Sequence, residues 1–232
     1  MDFHYTYIIM AFGLVLTGHF INLIAFTSLI IIHEFGHVIT ATIYKYRIKK
    51  ITIYPYGGIT EFDTLVNTKI EKDLLIAISG IIFQSIYFYT IFFLYRNGII
   101  REYTYNLFFT YHNSMLLFNV LPIIPLDGSK IINLIFSKYL NLNFSNNLTV
   151  LISFITLSMI LIGGIYEKNY SMVMVVFILL QNIWNYYKKI EYIYNKFVLE
   201  RYLYNIKYKS FKIIIKTKCT KTKHIYLKLT II

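Results

Sequence analysis

Long apolar runs separated by short polar segments make up most of this chain of 232 residues. A helix needs about 20 mainly apolar residues to cross the roughly 30 Å hydrocarbon core of a bilayer. Six segments approach that length, so the pattern predicts an all-α, multi-pass integral membrane protein with about six transmembrane helices. The predicted spans cover residues 3–18, 21–43, 74–95, 106–126, 147–166 and 170–187.

The segment between the second and third spans has a different pattern. In "IKKITIYPYGGITEFDTLVNTKIEKD", β-branched residues alternate with polar ones, and Pro55 and the Gly57-Gly58 pair interrupt the run. This pattern predicts a short strand or hairpin at the membrane interface. The unpaired edge of such a strand could hold an extended peptide, which would place Gly57 and Gly58 on a substrate path. A plain interfacial loop is the alternative reading.

Charge adds an orientation to these spans. The chain carries 23 Lys and Arg against 11 Asp and Glu, although 57% of its residues are hydrophobic, more than the roughly 45–50% usual in soluble domains. If six spans alternate, eight basic residues before the tail fall on one side, and only Arg96, Arg101 and Lys168 fall on the other. The positive-inside rule then predicts that both termini are cytoplasmic.

The last part of the chain reads as a separate unit. Residues 1–190 would form the membrane domain, and residues 191–232 a basic cytoplasmic tail in which Lys and Arg alternate with Tyr, Phe and Ile. Such a tail can bind nucleic acid, but basic flanks of membrane proteins also contact anionic lipid. The bilayer surface or a protein partner is the favoured contact, and no nucleic-acid partner is expected.

The second span contains the strongest candidate for chemistry, the stretch "LIIIHEFGHVITA". Ionisable side chains at a helix centre in a bilayer cost roughly 2.5–3.5 kcal/mol each on insertion scales, so they indicate function. His33 and His37 are four residues apart, which puts both imidazoles on one helix face as ligands for one Zn²⁺ per chain. Glu34 is then placed as the general base of an H-E-x-x-H metalloprotease motif. A chance match is the alternative.

A catalytic zinc site usually has three protein ligands, and Asp127 is the candidate for the third. It follows the segment "FNVLPIIPL", where Asn119, Pro122 and Pro125 interrupt any helix. Irregular backbone at membrane depth is tolerated where it is buried in protein or lines a wet cavity. The alternative is that Asp127 is a turn or helix-capping residue.

Together these motifs resemble the site-2 protease family of intramembrane zinc metalloproteases, and most closely its sporulation branch. The resemblance covers about residues 10–205 and includes "LTGH", "YRIKKITIYPYGGITEF", "SGIIFQS" and "FVLERYL". It implies a six-helix membrane domain with His33, His37 and Asp127 as zinc ligands and Glu34 as general base. It also implies that Asn119, Pro122 and Pro125 shape the substrate path.

The resemblance further implies a substrate and partners. The substrate would be a membrane-tethered sigma-factor precursor cut near the cytoplasmic face, and inhibitory membrane proteins would join the complex. The location would be the bacterial cytoplasmic membrane or the membrane around the forespore. Members of this branch also carry a nucleotide-sensing CBS domain, for which the segment after Leu203 is too short.

Two other classes of function compete with the protease. An ion or proton transporter could use the His, Glu and Asp side chains as a path, but the two halves of the chain show no internal repeat. A catalytically inactive membrane scaffold could retain a metal site, but such a site would not need Glu34. His19, at the predicted turn between the first two spans, is expected to be interfacial or hydrogen-bonded rather than a metal ligand.

Overall fold

The computed structural model describes residues 2–55, 57–63, 65–168, 170–204, 213–217 and 227–231, so most of the basic tail after residue 204 lies outside the described residues. Seven helices and five strands are present there. In chain order they are β1 (Asp2–Phe3), α1 (Tyr5–Leu16), α2 (Phe20–Ile43), β2 (Arg47–Tyr54), β3 (Gly57–Asp63), α3 (Ile70–Arg96), α4 (Glu102–Val120), α5 (Asp127–Tyr139), α6 (Leu142–Tyr166), α7 (Tyr170–Leu203), β4 (Ile213–Thr217) and β5 (Leu227–Ile231).

Each of the six predicted spans contains a helix, although several ends differ from the prediction. Among the described residues, three helices are long and apolar enough to cross a membrane, namely α2, α3 and α6. Helix α1 has only 12 residues, fewer than the roughly 20 that a straight crossing needs. Helix α7 continues to Leu203 and therefore passes through the predicted domain boundary at residue 190.

The predicted fourth span, residues 106–126, is helical only as far as Val120 in the structure. Helix α4 ends at Val120, and α5 begins at Asp127. The two prolines between them explain the break, because proline lacks the N–H that a helix interior requires. Helix α5 was not expected, since its polar and charged residues interrupt the apolar run.

A small sheet lies between α2 and α3 in the sequence and confirms the predicted hairpin. Strands β2 and β3 pair antiparallel, with Ile53 opposite Gly58 and Tyr54 opposite Gly57. Gly57 has φ +145°, a conformation that disfavours side chains. Strand β1 pairs in parallel with β2, so the sheet order is β1-β2-β3. Strands β4 and β5 form a separate antiparallel pair.

Two apolar clusters hold the helices together. One joins α1, α2, β2, α3 and α4, and includes the fully buried Leu29, Ile30 and Ile53. The other joins the 121–126 segment to α6 and α7 through Ile123 and Ile183. Large apolar side chains are exposed on the outer faces of the three membrane-length helices, as expected where lipid is the solvent. Examples are Ile24, Phe93 and Ile162, with exposed fractions of 64%, 61% and 68%.

Candidate metal centre and active site

His33 and His37 lie side by side on the inner face of α2, as the spacing of four residues predicts. Both side chains are buried, and their Nε2 atoms are 3.2 Å apart. The helix can approach its neighbour closely here because of Gly36. A Cβ at this position would lie 2.7 Å from the carbonyl oxygen of Ser79 on α3. The close packing of α2 and α3 therefore encloses both imidazoles.

Asp127 meets the two histidines from another part of the chain. Its Oδ2 is 2.9 Å from Nε2 of His33 and 3.1 Å from Nε2 of His37. Asp127 is the first residue of α5, and the N-cap is Leu126. The side chain of Asp127 is directed to the histidines and does not cap the helix, which was the alternative interpretation. The irregular 121–126 segment, by ending α4 early, allows α5 to start at this depth.

The backbone of that irregular segment finds polar partners inside the protein. Ser153 on α6 donates a 3.0 Å hydrogen bond to the carbonyl oxygen of Pro122 and accepts one of 3.3 Å from the N–H of Ile124. Gly128 lets α5 begin against the end of α4, because a Cβ there would collide with the carbonyl oxygens of Val120 and Leu121. The two hydrogen bonds of Ser153 give backbone groups of the irregular segment polar partners inside the protein, as an apolar environment requires.

The second ring nitrogen of each histidine faces α3. Nδ1 of His37 is 2.7 Å from the carbonyl oxygen of Ile76, and Nδ1 of His33 is 3.1 Å from Oε1 of Gln84. Both partners are acceptors, so each Nδ1 donates its proton and each Nε2 keeps a lone pair. Such partners on the far side of a ligating imidazole are a regular feature of metal sites.

The donor atoms fit a zinc ion. Two Nε2 lone pairs and one carboxylate oxygen converge with mutual separations of 2.9, 3.1 and 3.2 Å. Tetrahedral zinc with bonds of about 2.0–2.1 Å requires its ligand atoms to be about 3.3 Å apart. Three acceptors that face one another at this spacing could be satisfied together by a divalent cation. Two nitrogens and one oxygen are also a ligand set typical of catalytic zinc.

Glu34 is next to this cluster and is itself buried. A carboxylate oxygen of Glu34 lies within 4.8 Å of a ring nitrogen of each histidine. Its Oε2 accepts a 2.6 Å hydrogen bond from the hydroxyl of Thr60 on β3. Gly58, on the same strand, packs so closely that a Cβ there would collide with the Glu34 side chain. The hairpin therefore covers Glu34 directly.

Lys130 provides the remaining contact of Asp127. Its Nζ donates a 2.9 Å hydrogen bond to Oδ1, the carboxylate oxygen that does not face the histidines. Lys130 is one helical turn after Asp127, so the pair is on the same face of α5. Each oxygen of Asp127 thus has its own partners, which fixes the orientation of the carboxylate.

A cavity of about 420 Å³ opens beside His37. Most of its wall is apolar, including Phe62, Ile76 and Pro125. Its polar side includes Tyr46, in the α2–β2 connection, which donates a 2.8 Å hydrogen bond to Asp73. Burial and this hydrogen bond raise the pKa of Tyr46 to about 12, so it remains a donor at neutral pH. The cavity is large enough for several side chains of an extended peptide.

One wall of the cavity, the loop of residues 65–68, is held by α7. Glu200, 5% exposed, accepts hydrogen bonds from the N–H of Val66 at 2.7 Å and the N–H of Asn67 at 3.1 Å. The Asn67 amide donates to Glu200 and to the carbonyl oxygen of Phe197, and Arg201 donates to the Asn67 amide oxygen. The C-terminal part of α7 thus positions a wall of the cavity beside His37.

The structure does not group all of the predicted site residues. Pro125 lines the cavity and Gly58 contacts Glu34. Asn119 is buried at the end of α4, whereas Pro122 binds Ser153 and Gly57 is at the hairpin turn. His19 is exposed at the start of α2 with its ring 3.1 Å from the Thr17 hydroxyl.

Four residues at the site were not among the predicted ones. They are Thr60, Gln84, His112 and Lys130. Gln84 and His112 are polar residues within apolar segments, and Lys130 is one turn after Asp127, so each had a weak signal in the sequence. Thr60 had none, because its role depends on how the hairpin packs against α2.

Comparison with known proteins gives this geometry a family context. Residues 21–107 match the sequence profile of peptidase family M50. The chain is 31% identical over 200 residues to stage IV sporulation protein FB of Bacillus subtilis (strain 168). The aligned region covers 85% of this chain and 69% of that protein. It is 27% identical over 149 residues to a zinc metalloprotease of Methanocaldococcus jannaschii, covering 63% of this chain and 43% of the relative.

The fold has a counterpart among solved structures. The site-2 protease from Methanocaldococcus jannaschii superimposes with a TM-score of 0.64 over 79% of this chain and 88% of that chain, at 23% sequence identity. This likeness concerns the fold alone. Together with the sequence match to the sporulation protein, it leads to one assignment: the chain belongs to peptidase family M50, the site-2 proteases, and is an intramembrane zinc metalloendopeptidase.

Proposed function

We propose that His33, His37 and Asp127 hold the catalytic zinc and that Glu34 is the general base. The observation that carries this assignment is the convergence of the two Nε2 atoms and Oδ2 of Asp127 within 3.2 Å of one another. Zinc held by these three residues would supply the Lewis acidity that polarises a peptide carbonyl and activates water. All four side chains are buried. Burial of ionisable groups within a membrane domain costs free energy, so their presence there supports a functional role.

The protein side chains have separate tasks in this proposal. Glu34 accepts a proton from the attacking water and returns it to the leaving amine, which is general acid–base catalysis. Lys130 and the Nδ1 partners of the histidines keep the ligand atoms oriented. The apolar cavity beside His37 receives substrate side chains, and Gly57, Gly58, Asn119, Pro122 and Pro125 shape the path along which the peptide enters.

We propose that the substrate is a membrane-tethered protein cut near the cytoplasmic face, and specifically a sigma-factor precursor processed during sporulation. The similarity to stage IV sporulation protein FB supports this choice. Inhibitory membrane proteins would bind the protease in the same complex and prevent cleavage until the sigma factor is needed. The active site lies close to the basic segment that follows α2, which carries Arg47, Lys49 and Lys50 and is the side that the positive-inside rule assigns to the cytoplasm.

The proposed topology has six spans with both termini in the cytoplasm. Helix α4 makes the fourth span, and the 121–126 segment that follows it lies at the depth of the metal centre. Helix α1 would begin at the small sheet, where β1 pairs with β2. Residues 1–190 would form the membrane domain, and residues 191–232 the basic cytoplasmic tail.

The topology is tested at Asn97, in the connection between α3 and α4. The chain has one cysteine, Cys219, so a Cys219→Ser background with Asn97→Cys gives a single labelling site. We expect an impermeant thiol reagent to label this residue from outside intact cells. Labelling only after the membrane is opened would overturn the six-span arrangement.

The catalytic assignment is tested with Glu34→Gln. This change keeps the size of the side chain but removes the proton acceptor, so we expect zinc to stay bound while cleavage falls by roughly 10²–10⁴-fold. Wild type and variant are co-expressed with membrane-tethered sigma-factor precursors, cleavage is read on gels, and zinc is measured in purified protein. Equal cleavage by both would exclude Glu34 as the base. A proton flux that disappears with Glu34→Gln in the absence of cleavage would favour transport.

A further inference from the structure

Gln84 lies between two histidines from different helices. Its side chain, on α3, is fully buried. The Oε1 atom is 3.1 Å from Nδ1 of His33 on α2, and the Nε2 atom is 3.2 Å from Nδ1 of His112 on α4. The same Nε2 donates a 3.1 Å hydrogen bond to the backbone carbonyl oxygen of His112. One amide therefore connects three helices at the metal centre.

The orientation of this amide follows from chemistry. A backbone carbonyl oxygen can only accept a hydrogen bond, so the Gln84 atom that faces the His112 carbonyl must be the NH₂ group. The opposite orientation would place two oxygens against each other in a buried site, where an unsatisfied acceptor is costly. The Gln84 oxygen therefore faces His33, and His33 must donate from Nδ1.

We propose that Gln84 and His112 are positioning residues that hold His33 in the tautomer with its proton on Nδ1 and its lone pair on Nε2. This inference rests on the proposed function, in which Nε2 of His33 binds zinc. Neither Gln84 nor His112 touches the three converging ligand atoms, so both act through His33. The amide also fixes the plane of the imidazole ring, because the ring must keep Nδ1 in line with Oε1.

His112 is itself held in place, as a positioning role requires. Its side chain is buried, and its ring is stacked on Phe88 of α3 with centroids 4.4 Å apart and an interplanar angle of 5°. Its Nδ1 and its carbonyl oxygen present two acceptors to the two N–H bonds of the Gln84 amide. The Gln84 amide, held by His112 on α4, thus orients Nδ1 of His33.

The proposal predicts a specific defect when this contact is lost. Partners of ligating histidines typically contribute 10–100-fold to metal affinity. Gln84→Met keeps the length and volume of the side chain but removes all three hydrogen bonds of the amide, so we expect the Kd for zinc to rise by about 10–100-fold. The matched control is Ser85→Ala on the same helix. Among the described residues, the Ser85 hydroxyl donates to the carbonyl oxygen of Ile81 and to no other partner, so this change should leave the Kd unchanged.

His112 supplies a second pair of variants. In His112→Asn, the amide oxygen can take the position of Nδ1 and still accept from Gln84, so zinc affinity should stay within about twofold of wild type. In His112→Leu, that acceptor is lost and only the backbone carbonyl remains, so an intermediate weakening of about three- to tenfold is expected. Recovery by Asn distinguishes a hydrogen-bonding role from simple filling of space.

The experiment uses the full chain in detergent. Zinc affinity is measured by competition with a chelating dye. The Co²⁺-loaded protein is examined by visible absorption, which reports the ligand field around the metal ion and therefore changes when His33 is displaced. We expect the Co²⁺ spectrum to change in Gln84→Met and His112→Leu but not in Ser85→Ala or His112→Asn. Thermal unfolding of the metal-free variants verifies that each is folded.

Several outcomes would overturn the proposal. Wild-type zinc affinity and an unchanged Co²⁺ spectrum in folded Gln84→Met would do so, provided that His33→Ala loses zinc. If Gln84→Met does not fold, equal affinities for His112→Leu and His112→Asn would overturn it. Unchanged zinc affinity in His33→Ala would instead remove the ligand assignment itself, and the positioning role with it.

Discussion

Thr60 on β3 donates a 2.6 Å hydrogen bond to Oε2 of Glu34 on α2. Both side chains are buried, with exposed fractions of 8% and 3%. A strand of the interfacial hairpin therefore restrains the proposed general base. The hydrogen bond fixes the rotamer of the carboxylate and links the position of the hairpin to the geometry of catalysis.

Replacing Thr60 tests this link. Thr60→Val keeps the shape of the side chain and removes the hydroxyl that donates to the Glu34 carboxylate. A hydrogen bond to a charged group of this kind is worth about 1.5–3 kcal/mol. We expect kcat/KM for cleavage to fall about tenfold or more with zinc content unchanged. Thr60→Ser retains the hydroxyl and should stay near wild type. Full activity in Thr60→Val would show that Glu34 needs no support from the hairpin.

Gly80 on α3 tests how closely the metal centre is packed. A Cβ there would collide with the His37 ring and lie 2.8 Å from Nε2 of His33. We expect Gly80→Ala to lose most of its bound zinc, as measured by elemental analysis of purified protein. Gly163→Ala is the control, because a Cβ at Gly163 on α6 meets nothing within 4 Å. This control should retain zinc and gain up to about 1 kcal/mol of helix stability.

Lys130 tests whether the far oxygen of Asp127 needs its partner. Lys130→Met keeps much of the aliphatic chain but removes the 2.9 Å contact with Oδ1. Zinc affinity should fall about tenfold, the lower end of the range for groups that orient a ligand. Lys138→Met, at the other end of α5, makes no contact with Asp127 among the described interactions and should bind zinc normally. Equal affinities in the two variants would assign Lys130 a surface role.

Glu200 offers a test far from the metal. Glu200→Met keeps most of the side-chain length but removes the carboxylate oxygen Oε2 that accepts from the N–H groups of the 65–68 loop, so the loop should loosen. We expect KM to rise several-fold while kcat and zinc content change little, because the loop lines the cavity and does not touch the ligands. Limited proteolysis should reveal a new cut near residue 66. Glu167→Met, at the exposed end of α6, provides the reference.

Local periodicity was sufficient to identify part of this site. His33 and His37 are on one face of a continuous helix, so their spacing alone determines that they are neighbours. The hairpin was also predictable, because Pro55 and the two glycines separate two alternating runs. Asp127 was identified because prolines and an acid are unusual at membrane depth.

The remaining features depend on contacts distant in the sequence. Gln84 is 51 residues from His33, and Glu200 is 134 residues from Val66. Nothing in either local pattern specifies these pairs, since they result from the packing of α3 on α2 and of α7 on the loop. Helix α5 was missed for another reason: it is short and carries polar and charged residues, so a search for long apolar runs ends just before it.

The pairing of β1 with β2 determines which side of the small sheet remains available. Two residues before α1 cover the outer side of β2 at Thr52 and Ile53. Strand β3 is the edge strand on the opposite side of β2, so one row of its backbone N–H and C=O groups lies outside the sheet. Strand β3 also bears Thr60, the contact of Glu34. A peptide that added to this edge would therefore lie against the strand that holds the proposed general base.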